Sequence, residues 1–313
     1  MSRISPMNYR HSYHAGNFAD VLKHAVLALA LRYLKRKEAP LRVIDTHAGA
    51  GRYLLTSPQS AKTGEWRGGI ARLLGPDAQP LPQGALRHLE PYLAAVRAEN
   101  ASDRLAVYPG SPAIALRLLR ADDTLIANEL HPEERLQLER AIGSDRRVKV
   151  MGLDAWVALK ALLPPKERRG IVLIDPPFEE RDELDSMLTG LAQALERFAT
   201  GLYIAWYPIK DPRPVARFHA AVAALATTSK PLRIELLLRR PIERDRLNGC
   251  GLLVINPPYT LEEELVAVLA ELTQRFAAAE GGASYRLDRI DATSAAAPPP
   301  LRRMRTKPQK CRR

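Results

Sequence analysis

Two stretches of this 313-residue chain run from an apolar strand-like segment straight into an Asp/Asn-Pro-Pro-aromatic turn. They are Gly170-Ile-Val-Leu-Ile-Asp175-Pro176-Pro177-Phe178 and Leu253-Val-Ile-Asn256-Pro257-Pro258-Tyr259. A carboxylate followed at once by a peptide carbonyl offers two hydrogen-bond acceptors side by side. That pair suits an amino group on an aromatic base, whose lone pair is delocalised into the ring. Accepting both hydrogens aims the nitrogen and makes its lone pair more available. The prolines stiffen the turn, and Phe178 offers a flat face on which an extruded base can stack. The expected catalytic set is therefore Asp175, Pro176 and Phe178. The second turn follows the last strand candidate, far from the other motifs in chain order. It reads as a strand-to-helix connection, with Asn256 or Thr260 helping to start a helix over 261–277.

A second constellation implies what reacts with such an amine. Val43-Ile-Asp45-Thr-His47-Ala-Gly49-Ala-Gly51 ends a strand in an acid and then turns on two glycines, which lets the backbone approach a bound nucleotide closely. A dinucleotide fingerprint needs a third glycine at position 54, which is Leu54, so a pyrophosphate site is disfavoured. The pattern fits S-adenosylmethionine, which has an amino acid head, a ribose and an adenine but no phosphate. Glu129 follows the next strand, placed to accept both ribose hydroxyls. Asp154 follows the one after, placed to accept from the adenine amine.

These residues need a parallel sheet to hold them. Seven strand candidates stand at 41–45, 124–128, 147–151, 170–175, 202–207, 232–238 and 251–256, separated mostly by helical periods such as 182–198 and 214–228. The last two strands are joined by about a dozen residues without an apolar helical pattern, so they read as an antiparallel hairpin. The expected fold is α/β: a Rossmann-like class I methyltransferase with a seven-stranded, mostly parallel sheet and a terminal antiparallel hairpin. Glu129 lies 129 − 51 = 78 residues beyond Gly51, against about 20 in an ordinary doubly wound sheet. The surplus, 54–106, contains helix-like stretches at 65–74 and 85–100 and reads as an inserted helical subdomain overhanging the ligand crevice. The main domain is then 1–53 plus 107–280, with an N-terminal segment at 8–37 serving substrate and cofactor.

Net charge is +12, which favours a polyanionic partner. Seven cations and no acid fall within 301–313, after a linker-like Ala/Pro stretch, so 290–313 reads as a disordered basic arm that attracts phosphate without specificity. Cys250 and Cys311 are too few for a disulfide framework or a cysteine zinc site. No metal is expected, no segment is apolar enough for a membrane span, and the start of the chain lacks the pattern of a secretion signal. A reducing cytoplasm and a monomer are the expectation.

The N-terminal segment contains Asn8-Tyr9-Arg-His11-Ser-Tyr-His14-Ala-Gly-Asn17, after which a helix starts, capped by Asn17. Phe18, Val21, Leu22, Ala25, Val26 and Leu29 form its buried side. By default Lys23 is a surface lysine and His24 a satisfied helix histidine. Here, however, the run from Tyr9 to His24 closely resembles the N-terminus of the bacterial 23S rRNA adenine-N6 methyltransferase J (RlmJ) family. Asp45-Thr-His-Ala-Gly-Ala-Gly-Arg-Tyr53, Tyr108-Pro-Gly-Ser-Pro112, Asn128-Glu-Leu-His-Pro132, Asp175-Pro-Pro-Phe178 and Trp206-Tyr-Pro208 match it in order. The resemblance covers roughly 8–275. It implies S-adenosylmethionine as cofactor and one adenine of 23S rRNA, protein-free or early in assembly, as target. It also implies cofactor contacts at His24, His47, Ser111, Glu129, Asp154 and Asp175, a cofactor-side Lys23, and Tyr9 at the substrate base. Phe178 stands where the family has tyrosine, and Ala155, also expected at the cofactor, stands where it has glycine. The rival readings are a DNA adenine-N6 methyltransferase and a non-catalytic RNA-binding relative.

Overall fold

Strand 170–174 consists of five consecutive apolar or small residues, all buried, the pattern of a strand covered on both faces. It lies at the centre of the fold. The structure is a computed structural model and describes residues 11–100, 104–180, 182–225 and 227–291.

The strands in chain order are β1 (Arg42–Asp45), β2 (Arg52–Leu54), β3 (Val107–Pro109), β4 (Thr124–Asn128) and β5 (Val148–Met151). They continue with β6 (Gly170–Ile174), β7 (Leu202–Ile209), β8 (Leu232–Leu237), β9 (Gly249–Ile255) and β10 (Ser284–Arg289). The helices are α1 (Phe18–Leu34), α2 (Pro58–Thr63), α3 (Ala71–Leu74), α4 (Gln83–Arg97) and α5 (Ser111–Leu118). After them come α6 (Pro132–Ile142), α7 (Ala155–Leu162), α8 (Glu183–Arg197), α9 (Pro212–Val222) and α10 (Leu261–Phe276).

The main sheet has eight strands, not the seven expected, in the order β10–β8–β9–β7–β6–β1–β4–β5. Strands β5, β4, β1, β6 and β7 are parallel, and β9 runs antiparallel between β7 and β8. The eighth strand, β10, pairs antiparallel with β8 at the edge. The sheet therefore extends past residue 280, and Ile290, inside the segment read as a basic arm, is buried. The rest of that arm, 292–313, lies outside the described residues, as does Tyr9.

Alternation along the strands divides the core in two. Val43, Ile171 and Leu173 face α1, α4, α5 and α10, whereas Ile44, Val172 and Ile174 face α7, α8 and α9. Asn17 caps α1, its Oδ1 accepting from the backbone N–H groups of Ala19 (2.9 Å) and Asp20 (3.0 Å). From Phe18 to Leu31 every residue of α1 is buried. A helix enclosed all round has no solvent face, so Lys23 is not a surface lysine.

Segment 54–106 is held at its ends by the β2–β3 ribbon. Its longest helix, α4, does not overhang the crevice. Leu89, Tyr92, Leu93 and Val96 are buried in the same core as α1 and α10. The smaller helices lie against the N-terminal segment, where Ser60 Oγ donates to the Ser12 carbonyl (2.9 Å) and the Ile70 N–H to that of Gly16 (2.8 Å).

Candidate active site

A cavity of about 420 Å³ opens where β1, β4, β5 and β6 end. This size is normal for a cofactor pocket, and the C-terminal edge of a parallel sheet is where such pockets form. Lys23, His24, His47, Gly49, Ser111, Glu129, Asp154, Ala155 and Asp175 all line it. Asp45 and Gly51 stand behind this lining, and no lining residue comes from 54–106.

The turn after β1 is shaped by its two glycines. Gly49 has φ +60° and a Cβ there would fall 2.1 Å from the Tyr53 hydroxyl; Gly51 has φ +77°. Only glycine fits the first position, which frees its N–H to donate to Glu129 Oε2 at 2.8 Å. Glu129 Oε1 accepts from the His131 N–H, also at 2.8 Å. The Glu129 carboxylate is thus fixed against the cavity, with its pKa raised by burial. Asp154 caps α7, its Oδ1 accepting from the N–H groups of Trp156 and Val157, both at 3.0 Å.

Deeper in, Asp45 accepts from Ser111 Oγ (2.6 Å) and from the His47 N–H (3.3 Å). Burial pushes its pKa up to about 6. Burial pushes the His47 imidazole down to about 4, so it is neutral at pH 7. His47 Nδ1 accepts from the backbone N–H of Asp175 at 3.3 Å. The same nitrogen meets the Thr46 hydroxyl at 2.8 Å. His24 is brought down to about 3, again by burial. Its Nδ1 meets the Tyr108 hydroxyl at 2.8 Å, and that hydroxyl meets Tyr92 at 3.0 Å. His24 Nε2 is buried with no hydrogen-bond partner among the described residues.

Lys23 projects from α1 to bind Asp175 Oδ2 and, at 2.9 Å, Asp20 Oδ1. Burial favours the neutral amine, but the two carboxylates outweigh it and the pKa is raised overall. Asp20 is itself buried and accepts from the Gly16 N–H (2.8 Å) and pairs with His11 Nε2 (3.0 Å). Burial acts against its charge, yet His11 and Lys23 hold its pKa well below the usual carboxylate range.

Asp20, His11, Thr46 and Tyr53 were not among the expected site residues. An acid in the first turn of a helix reads as a partner of the helix dipole. The available signal was the three-residue spacing of Asp20 and Lys23, which puts both on one helix face. Pro176 and Phe178 do not line the cavity, although Pro177 does. Phe178 has φ +53° and meets Trp206 edge-on, with ring centroids 5.6 Å apart. A bulky residue in the left-handed region is strained, and such strain concentrates at functional turns.

The second Pro-Pro turn is built differently. Its positive φ falls on Asn256 rather than on the aromatic residue. Asn256 Nδ2 donates to the carbonyls of Ala199 (2.7 Å) and Gly201 (2.8 Å). Thr260 is the N-cap residue of α10, but no side chain caps the helix. Asn256 therefore tethers the turn before β7 and does not cap α10.

A family model described as "Ribosomal RNA large subunit methyltransferase D, RlmJ" matches residues 38–287. The chain belongs to the RlmJ family. It is 42% identical to "Ribosomal RNA large subunit methyltransferase J" of Escherichia coli (strain K12) over 88% of this chain and 96% of that one. It is 41% identical to the Haemophilus influenzae protein of the same name, over 91% of this chain and 99% of that one. The crystal structure of a Legionella pneumophila protein superposes with a TM-score of 0.80 at 37% identity, covering 88% of this chain and 98% of that one. Membership makes this an rRNA methyltransferase fold with a mostly parallel sheet. Among the described residues, no helix is long and apolar enough to cross a membrane, and no group of three or more His, Cys, Asp or Glu side chains could hold a metal ion.

Two features suit this RlmJ-family cavity to S-adenosylmethionine. Its one lining lysine, Lys23, is taken by Asp20 and Asp175, which leaves carboxylates and the neutral imidazoles of His24 and His47 rather than free phosphate-binding cations. His24 Nε2 is buried with no hydrogen-bond partner among the described residues.

Proposed function

We propose that this chain methylates the exocyclic N6 amine of one adenine in 23S rRNA, using S-adenosylmethionine, in the cytoplasm. The observation that carries the reading is the state of Asp175. Its Oδ2 is taken by Lys23, while Oδ1 has no protein partner among the described residues, at the rim of a cavity suited to the cofactor.

When bound, the cofactor supplies an electrophilic methyl group. Asp45, Glu129 and Asp154 would hold its amino acid, ribose and adenine parts, and His24, His47 and Ser111 would complete the cradle. Asp175 Oδ1 and the Pro176 carbonyl accept the two amine hydrogens and align the nitrogen lone pair. Lys23 fixes the Asp175 carboxylate in one rotamer, so that the free oxygen is aimed before substrate arrives. As the nitrogen is alkylated its hydrogens become acidic, and Asp175 takes one of them. Phe178, backed by Trp206, offers its face to the base turned out of the RNA. The family resemblance adds Tyr9 as a further contact to the target base.

The test is transfer of labelled methyl to protein-free 23S rRNA, assembled large subunits and genomic DNA, followed by nucleoside analysis. N6-methyladenosine in protein-free 23S rRNA is expected. Label confined to DNA, or on another base, overturns the reading, and no transfer to any of them supports a non-catalytic relative.

A further inference from the structure

No residue that lines the cavity comes from the half of the sheet formed by β7, β9, β8 and β10. That half nevertheless shapes the same edge. β7 is parallel to β6, and its Ala205 lies opposite Ile174. It then continues for Trp206, Tyr207, Pro208 and Ile209, which carries it about 13 Å past the end of β6 at roughly 3.3 Å per residue. β8 is antiparallel to β9, which is antiparallel to β7, so β8 also ends at this edge; Leu237 and Ile209 both pair with Gly249. The turn at 210–213 and the hairpin loop at 238–248 therefore rise together as a wall beside the Asp175 turn.

The wall has a basic excess: Lys210, Arg213, Arg239, Arg240, Arg244 and Arg246 against Asp211, Glu243 and Asp245. Lys210, Arg213, Arg240, Arg244 and Arg246 are exposed on it. Arg213 pairs with Asp211 at 2.5 Å and Arg246 with Glu280 at 2.9 Å. Lys210, Arg240 and Arg244 have no ion pair among the described residues. Buried Asn248 ties the two loops together, its Nδ2 donating to the carbonyls of Lys210 (3.0 Å) and Glu243 (2.7 Å). Between the arginines Ile242 is 77% exposed, an apolar residue left open by the described residues. Unpaired cations around an apolar tip, held by a buried clamp, match what an RNA strand presents: phosphates to neutralise, with a base or ribose face between them.

The geometry points to the 210–213 turn and the 238–248 hairpin as the surface that grips the RNA strand flanking the target base. Lys210, Arg240 and Arg244 meet phosphates, and Ile242 packs on a neighbouring nucleoside. This rests on the rRNA reading above and assigns that substrate a docking surface on the side of Asp175 away from the cofactor.

The test compares wild type with Lys210→Glu/Arg240→Glu/Arg244→Glu, with the charge-keeping Arg240→Lys/Arg244→Lys, and with Ile242→Ser. A fragment of 23S rRNA serves as ligand and substrate, and folding is checked by thermal melts. Each lost phosphate contact removes about 0.7–0.9 from the slope of log affinity against log salt. The glutamate variant should therefore flatten that slope by roughly 2–3 and raise KM for RNA by about tenfold or more. Its affinity for S-adenosylmethionine should stay unchanged. The lysine variant should bind like wild type, and Ile242→Ser should raise KM without altering the slope. An unchanged slope and KM in a folded glutamate variant overturns the proposal, as does a lysine variant as impaired as the glutamate one. If wild type methylates no rRNA, the functional reading fails, yet the RNA-binding comparison still decides the wall.

Discussion

The buried Lys23 ammonium on α1 and the half-buried Asp175 carboxylate after β6, 152 positions apart, form an ion pair at the cavity. Asp20 closes on the same ammonium at 2.9 Å and on His11 Nε2 at 3.0 Å, so Lys23 lies between two carboxylates. This arrangement ties the first helix of the chain to the turn that carries the chemistry. It also joins the N-terminal segment to both, because Asp20 holds His11 and the Gly16 N–H.

Replacing Lys23 with methionine should leave Asp175 without its counter-charge and Asp20 with His11 as its remaining charged partner. Removing one partner of a buried pair costs about 3–5 kcal/mol. Urea unfolding should show a loss of that order, and Lys23→Met/Asp20→Asn should recover part of it. If the double variant is less stable by the sum of the single losses, the three groups are not coupled.

Cofactor affinity should depend on pH through Asp45. Burial sets its pKa at about 6 in the free protein, and a ligand ammonium requires the ionised carboxylate. Below about pH 6 a proton must leave before the ligand binds, so affinity should fall about tenfold per pH unit. Titration calorimetry from pH 5 to 8 reads this directly. Asp45→Asn should bind weakly with a flat profile in this range; a profile as steep as wild type would place the titrating group elsewhere.

Much of this site was legible because strand ends and acids coincide in the sequence. Asp45, Glu129, Asp154 and Asp175 each follow an apolar run, and a parallel sheet must gather such ends at one edge. Asp20 was hidden because its role depends on α1 being enclosed on all sides, and that follows from α4 packing on it. The apolar stripe of α4 is visible in the sequence, but a stripe does not say which surface covers it, and chain order alone points to the crevice where the fold puts the helix in the core. Strand β10 was missed for a different reason. Ser284-Tyr-Arg-Leu-Asp-Arg289 is half charged, as an edge strand tolerates, and its arginines and aspartate serve a polar network that no local pattern announces.

That network makes the fold sensitive to acid. Arg233 Nη1 donates to His219 Nδ1 at 3.1 Å, so the His219 proton is on Nε2, which donates to the Tyr207 hydroxyl at 2.9 Å. Tyr207 donates in turn to Glu235 at 3.2 Å. Burial, with Arg233 alongside, pushes the His219 pKa down from 6.5 to about 3. A group depressed in the fold stabilises it fully above its unfolded pKa. Its contribution is lost as pH falls from 6.5 towards 3, because only the unfolded chain takes the proton. The slope is about 1.4 kcal/mol per pH unit for one histidine. His219→Gln should lower stability at neutral pH and make its decline between pH 6 and 4 shallower by up to about that amount. An unaltered slope in urea melts would show that His219 is not a source of acid lability.

The two Pro-Pro turns give the sharpest separation of chemistry from structure. Asp175→Ala should abolish methyl transfer to 23S rRNA, because it removes the free acceptor oxygen at the cavity rim. Asp175→Asn should retain a trace at most, since its amide oxygen accepts a hydrogen bond but carries no charge to draw a proton. Both should lose more in turnover than in cofactor affinity, as expected for a group that acts mainly in the transition state. Phe178→Tyr should be tolerated, whereas Phe178→Ala should forfeit base stacking of about 1–3 kcal/mol. Asn256→Ala removes three hydrogen bonds, two to the turn before β7 and one from the Thr228 hydroxyl, and puts alanine at φ +53°. Three bonds at about 1 kcal/mol or less each and a left-handed alanine at about 1 more give roughly 3–4 kcal/mol of lost stability, with the turnover of folded protein near normal. Single-turnover methylation of each variant at a temperature where all are folded is the measurement. A folded but inactive Asn256→Ala protein beside an active Asp175→Ala protein would move the chemistry to the second turn.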